Sequence, residues 1–93
     1  MLTDRSARVG AGLEAELRRE LASSATAREG RDLADYVLNR LVRLFERDED
    51  RVRAYLQAPQ RTWGERTPAD LTRLHGFDTL DHLLDQVEHG RRL

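Results

Sequence analysis

The chain has 93 residues, a formal net charge of −1, 35% charged but only 5% aromatic side chains, and no cysteine. That length suits one domain with a modest core, and without cysteine neither disulfides nor thiolate metal sites are available. The near-neutral charge argues against a protein that works mainly by adhering to phosphate, and no apolar run approaches the ~18 residues needed to cross a membrane.

With so few aromatic and β-branched residues, the core has to come from leucine, valine and alanine on amphipathic helices. The expected fold is all-α: a small bundle of about five helices, with residues 1–30 as an N-terminal helical arm and residues 31–93 as the functional domain. Arginine serves wherever lysine would, and isoleucine is also missing, which reads first as codon usage. Arginine nevertheless suits bidentate contacts with carboxylate or phosphate, so the surface favours polar interfaces. No basic-then-apolar stretch at the start resembles a signal peptide, which makes the cytoplasm the expected location.

In the first segment Val9, Leu13, Leu17 and Leu21 recur at steps of four among charged residues, a narrow apolar stripe on a polar helix. The run Ala22 to Ala27 has no large apolar residue, so this helix is expected to end or fray there. A single thin seam cannot offset its own ordering entropy. It needs a partner: the rest of the domain, a different protein, or a second copy, which makes at least a homodimer the expectation.

From Arg31 to Phe45 the apolar positions Leu33, Ala34, Tyr36, Val37, Leu38, Leu41, Val42, Leu44 and Phe45 are too many for one narrow face. This should be the central helix, touched on several sides. Asp48 is placed to cap a short helix carrying Val52, Tyr55 and Leu56, which Pro59 stops. Trp63-Gly64 then predicts an aromatic ring folded inward beside a tight turn. Thr67-Pro68-Ala69-Asp70 is a complete helix start: a threonine N-cap, proline at the first helical position and an acid at N3 to close a capping box. The helix it opens uses Leu71 and Leu74 and ends at Gly76. A last helix with Leu80, Leu83, Leu84 and Val87 on one face and Asp78, Asp81, Asp85 and Glu88 on the other is expected to end near Gly90. Pro59, Gly64, Thr67, Pro68 and Gly76 are the expected corners.

His75, His82 and His89 recur every seven residues, and two of them pair with acids at i, i+4. A closed metal site needs three or four convergent ligands, so ordinary helix decoration is the simpler reading and no metal or other cofactor is expected. The arginines at 18, 19, 40, 43 and 47 can track nucleic acid, but interleaved acids read more simply as solvated helix faces. No serine or threonine is flanked by a base-and-orienter pattern, and cysteine is absent, so no enzyme is expected.

Taken together, Tyr55-Leu56, Pro59, Trp63-Gly64, Thr67-Pro68, Leu71, Gly76, Leu80, Leu83-Leu84 and Val87-Glu88-His89-Gly90 resemble the C-terminal toxin-binding domain of the Xre/MbcA/ParS antitoxin family. The likeness covers roughly the second half of the chain, and the Leu38 to Phe45 helix and Asp48 extend it backwards. Tyr55 stands where that pattern has tryptophan, Gln60 where it has asparagine, Trp63 where it has leucine and Glu65 where it has a second glycine.

The resemblance implies a cytoplasmic antitoxin of a type II pair. Its partner would be a RES-domain toxin that consumes NAD, held inactive by direct covering of its active-site pocket. It also implies that the last helix and the tail make contact, so that Glu88, His89, Gly90, Arg91, Arg92 and Leu93 are candidate toxin-binding residues, with Trp63 a further anchor if partly exposed. Larger members carry an N-terminal helix-turn-helix, a motif that Met1 to Gly30 is too short to show. Operator binding is therefore left open, and a small helical nucleic-acid-binding regulator is the alternative function.

Overall fold

The computed structural model describes residues 11–92, apart from the side chains at 11, 91 and 92. Val9 of the N-terminal stripe and Leu93 of the candidate site lie outside the described residues. The described residues form six α-helices: α1 Ala11–Glu20, α2 Ser24–Glu29, α3 Arg31–Leu44, α4 Glu49–Leu56, α5 Pro68–His75 and α6 Phe77–Arg92, with a 3-10 turn at Arg61–Trp63. No strand occurs among them. The fold is the small all-α bundle that composition and periodicity predict.

As expected, α3 is central, packing against α1, α2, α4 and α6. Its core side is Ala34, Val37, Leu38, Leu41 and Val42, all buried. Tyr36, counted above among its apolar positions, is instead 60% exposed. It lies on the solvent side of a helix whose opposite side already fills the centre.

Leu13 and Leu17 of α1, and Leu21 just after it, are buried in the same core cluster as α3, α4, α5 and α6. The stripe's partner is therefore this chain's own α3. A second copy is not needed to cover these leucines.

As expected, α1 ends before the Ala22–Ala27 run, but the run itself does not fray: it starts a separate helix, α2. Ser23 caps α2 and forms a capping box with Thr26, whose backbone N–H donates to the Ser23 hydroxyl while the Ser23 N–H donates to the Thr26 hydroxyl at 2.8 Å. Thr26 is buried and its hydroxyl also donates to the Ser23 carbonyl at 3.1 Å. A helix this short and apolar-poor draws its stability from such caps and from packing, here against α3 and α5.

Between α3 and α4 the chain turns through Glu46 and Arg47, at φ 57° and 60°. Left-handed backbone at two consecutive residues other than glycine costs energy, and it is held by Arg47 N–H donating to the Val42 carbonyl at 2.8 Å. Asp48 then caps α4 as predicted, accepting the Arg51 N–H. After Pro59 the loop closes on itself, with Gln60 N–H donating to the Arg66 carbonyl at 2.8 Å and Glu65 N–H to the Gln60 carbonyl at 2.9 Å. Gly64 takes the left-handed turn at φ 68°, and half-buried Trp63 packs against the core.

Thr67 caps α5 by accepting the Asp70 N–H at 3.1 Å, with Pro68 in the first turn. The Asp70 carboxylate accepts from Arg73 at 3.3 Å. Thr67→Ala is expected to cost about 1 kcal/mol. A melting temperature equal to that of the parent would show that the cap carries none of the stability. On α5 Leu71 is buried, but Leu74 is 52% exposed and does not serve the core as expected; the helix makes its inner face from Pro68, Ala69, Leu71 and Thr72.

Gly76 ends α5 at φ 108° and ψ 175°, a region essentially confined to glycine. Gly90 behaves differently. Expected from sequence to terminate α6, it lies inside a helix that continues to Arg92, and it is absent from the positive-φ glycines 30, 64 and 76. A glycine stops a helix only when the chain uses its left-handed freedom; inside a helix it costs about 1 kcal/mol relative to alanine without breaking it.

Candidate functional site

The acids of α6 organise its outer face. Asp81, Asp85 and Glu88 fall at i, i+4 and i+7, on one side of the helix, and Arg40 of α3 reaches across to all three. One guanidinium nitrogen meets Asp81 Oδ1 at 2.6 Å, a second meets Asp85 Oδ1 at 2.6 Å and also Glu88 Oε1, and Nε donates to Glu88 Oε1 at 3.1 Å. The Asp81 carbonyl accepts a further bond at 3.2 Å. Hydrogen bonding to Glu88 foremost, then to Asp85 and Asp81, holds the Arg40 guanidinium above its usual pKa against the opposing effect of burial. One cation against three carboxylates leaves this face net negative.

Beside this clamp an open groove of about 460 Å³ runs between α3 and α6, lined by Tyr36, Asn39, Arg40, Arg43, Leu44 and Glu88. A second recess of about 390 Å³ lies toward the end of α6, between Arg40, Asp85, Glu88 and His89. The two share the Arg40–Glu88 pair as a common wall.

A different contact sets the start of α6. Glu29, the last residue of α2, accepts the backbone N–H groups of Phe77 at 2.5 Å and Asp78 at 3.1 Å. Donors at a helix start have no intrahelical partner, and an acid there also suits the helix dipole. The fit depends on Gly76: a Cβ at that position would lie 2.5 Å from the Glu29 carboxylate carbon.

The candidate residues are not brought together as one cluster. Glu88 is half-buried in the Arg40 clamp, while His89 and Gly90 are exposed on the last turns of α6. Arg91 and Arg92 continue the same helix in their backbone. Trp63 packs against the core from the 60–66 loop and does not line the groove. Of the corners, Gly64, Thr67, Pro68 and Gly76 each occupy a turn or helix end.

From sequence, Arg40 reads as part of a solvated face and Tyr36 as a core position, and the fold gives both a different place. No local signal marks Arg40, because its partners lie 41 to 48 residues away. The acidic spacing on α6 is the available hint: three carboxylates on one helix face invite a cation from elsewhere.

The model of the antitoxin Xre/MbcA/ParS C-terminal toxin-binding domain matches residues 40–90, more than half of the chain. The chain belongs to this antitoxin family. No curated protein and no solved structure matches it.

In this antitoxin the matched segment opens at Arg40 and closes two residues after Glu88, so the clamp ties the two ends of the toxin-binding domain to each other. α1 and α2 lie ahead of the match, yet they are joined to it by charge as well as by core. Arg53 on α4 meets Glu20 at 3.0 Å and Glu49 at 2.9 Å, and Arg73 on α5 donates to the Glu20 carbonyl at 3.0 Å. Arg18 of α1 meets Asp35 of α3 at 2.8 Å. These are mostly exposed pairs, which orient the helices more than they stabilise them. Among the described residues no group of three His, Asp or Glu side chains is placed to hold a metal ion, and no helix is long and apolar enough to cross a membrane.

Proposed function

We propose that this antitoxin neutralises a RES-domain, NAD-consuming toxin in the cytoplasm by binding it directly and covering its active-site pocket with the C-terminal end of α6. The observation that carries this reading is the toxin-binding domain over residues 40–90, whose last matched turn, His89 and Gly90, is exposed. Just before that turn, Glu88 is anchored to α3 through Arg40. Beyond Glu88 the helix adds Arg91 and Arg92, cationic groups suited to carboxylates around a pocket built for a dinucleotide. The arginines at 18, 40, 51, 53 and 73 each face a carboxylate of this chain, which favours a protein partner over phosphate tracking along nucleic acid.

The test takes the product of the gene adjacent to this antitoxin's own, assays it for RES-type NAD consumption, and measures inhibition when the antitoxin is added. The full chain should suppress turnover at equimolar concentration. Deleting residues 91–93 leaves every buried core residue among the described ones in place, and the melting temperature is expected to change little. Binding should weaken by roughly 1–3 kcal/mol for each charged hydrogen bond removed. Full suppression by the truncated protein, at undiminished affinity, would move the blocking element away from the end of α6.

A further inference from the structure

The groove between α3 and α6 holds a pair of side chains that the fold does not use. Tyr36, Asn39 and Arg43 lie at i, i+3 and i+7, one stripe along the outer side of α3. All three are exposed. Tyr36, at 60%, is one of two large hydrophobic residues so exposed among the described residues, and the other, Leu74, lies on α5 and does not line the groove.

Arg40 and Arg43 are one helical turn apart but differ in their bonding. Arg40 is saturated by Asp81, Asp85 and Glu88. Arg43 has no ion pair among the described residues, so its donors face the groove's solvent. With Glu88 already engaged by Arg40, the nearest acid of the groove wall is committed elsewhere. An aromatic surface beside an uncommitted guanidinium is the composition of a protein-binding hot spot. What complements it is a carboxylate next to an apolar side chain.

Resting on the toxin-binding reading above, we infer that this groove seats a surface segment of the toxin in which an acidic side chain neighbours an apolar one, the acid bound by Arg43 and the apolar group covered by Tyr36. Two features select the toxin as occupant. The groove shares its Arg40–Glu88 wall with the recess that reaches His89, so a partner covering the end of α6 can lie along the groove without leaving the protein surface. Beside the clamp, Arg43 is the one cation of the lining with no ion pair among the described residues, which matches one carboxylate and leaves a nucleic-acid backbone without further phosphate contacts.

The experiment is calorimetric titration of that adjacent gene's product with the full-length antitoxin and with Tyr36→Ala, Arg43→Glu and, as a control outside the groove, Leu74→Ala. Tyr36→Ala and Arg43→Glu should each weaken binding by about tenfold or more, with melting temperatures at the parent value because neither side chain is in the core. Leu74→Ala should bind like the parent. Parent-like affinity in both groove variants would overturn this inference while leaving the toxin partner in place. No binding by the unaltered antitoxin would overturn the partner and the inference together. If Tyr36→Ala instead changed the sedimentation of the free antitoxin, the groove's occupant would be a second copy, and the inference would be wrong.

Discussion

Gly76→Ala is expected to destabilise this antitoxin by about 2–4 kcal/mol, from two independent causes. The first is backbone conformation: at φ 108° and ψ 175° a residue with a Cβ is strained by ~1–3 kcal/mol. The second is the Glu29 carboxylate, which lies 2.5 to 2.6 Å from the position the new methyl group would take. It would have to withdraw, leaving the Phe77 and Asp78 N–H groups at the start of α6 without their cap, a loss of ~1 kcal/mol or more. Gly30→Ala separates the two causes. Gly30 has a similar backbone, φ 92° and ψ 166°, but nothing within 4 Å of the added carbon, so only the conformational cost applies. Thermal melts of both variants decide the matter, since each 1 kcal/mol moves the midpoint of a domain this size by roughly 4–8 °C. Equal midpoints would mean that Glu29 contributes nothing as a cap.

Leu84→Ala should be among the most damaging of the core truncations, at roughly 2–5 kcal/mol. Leu84 is 0% exposed and sits on α6, which packs against both α3 and α5, so the cavity cannot close by shifting one neighbour. Leu80, also 0% exposed on the same helix, should behave alike. Because α6 also carries Glu88 and His89, stability and toxin neutralisation should fall together. Denaturant unfolding alongside the NAD-consumption assay checks this. A Leu84→Ala protein as stable as the parent would place α6 outside the cooperative core.

Much of this antitoxin is legible directly in its residues, because the information is local. Thr67-Pro68 and Asp48 start helices by bonding to N–H groups three residues on, and the distance involved is fixed by helix geometry alone. The i, i+3, i+4, i+7 apolar residues of α6 (Leu80, Leu83, Leu84 and Val87) and the crowded apolar positions of α3 identify the central pair of helices for the same reason. The family constellation is legible too, since its corners are short-range turns.

Where sequence and structure differ, the differences have a common physical origin. Gly90 carries the same glycine signal as Gly76, but a terminator acts only when surrounding contacts favour positive φ, and at Gly76 these include the Glu29 carboxylate from a distant part of the chain. Ser23–Thr26 is easily missed as a helix start because threonine, not an acid or amide, completes that capping box. Tyr36 and Leu74 look like core residues by type, yet which side of a helix meets the centre depends on the helices packed around it.

Sequence by itself determined the all-α class, the helix starts, the central place of α3 and the kinship with the antitoxin family, since each rests on periodicity, capping or spacing within a few turns of chain. Tertiary structure alone decided that α1 is covered by α3, that Glu29 caps α6, and that Arg40 gathers Asp81, Asp85 and Glu88 into one clamp beside an exposed Tyr36. Those outcomes depend on groups distant in sequence meeting within hydrogen-bond or packing distance, and only the folded chain brings them there.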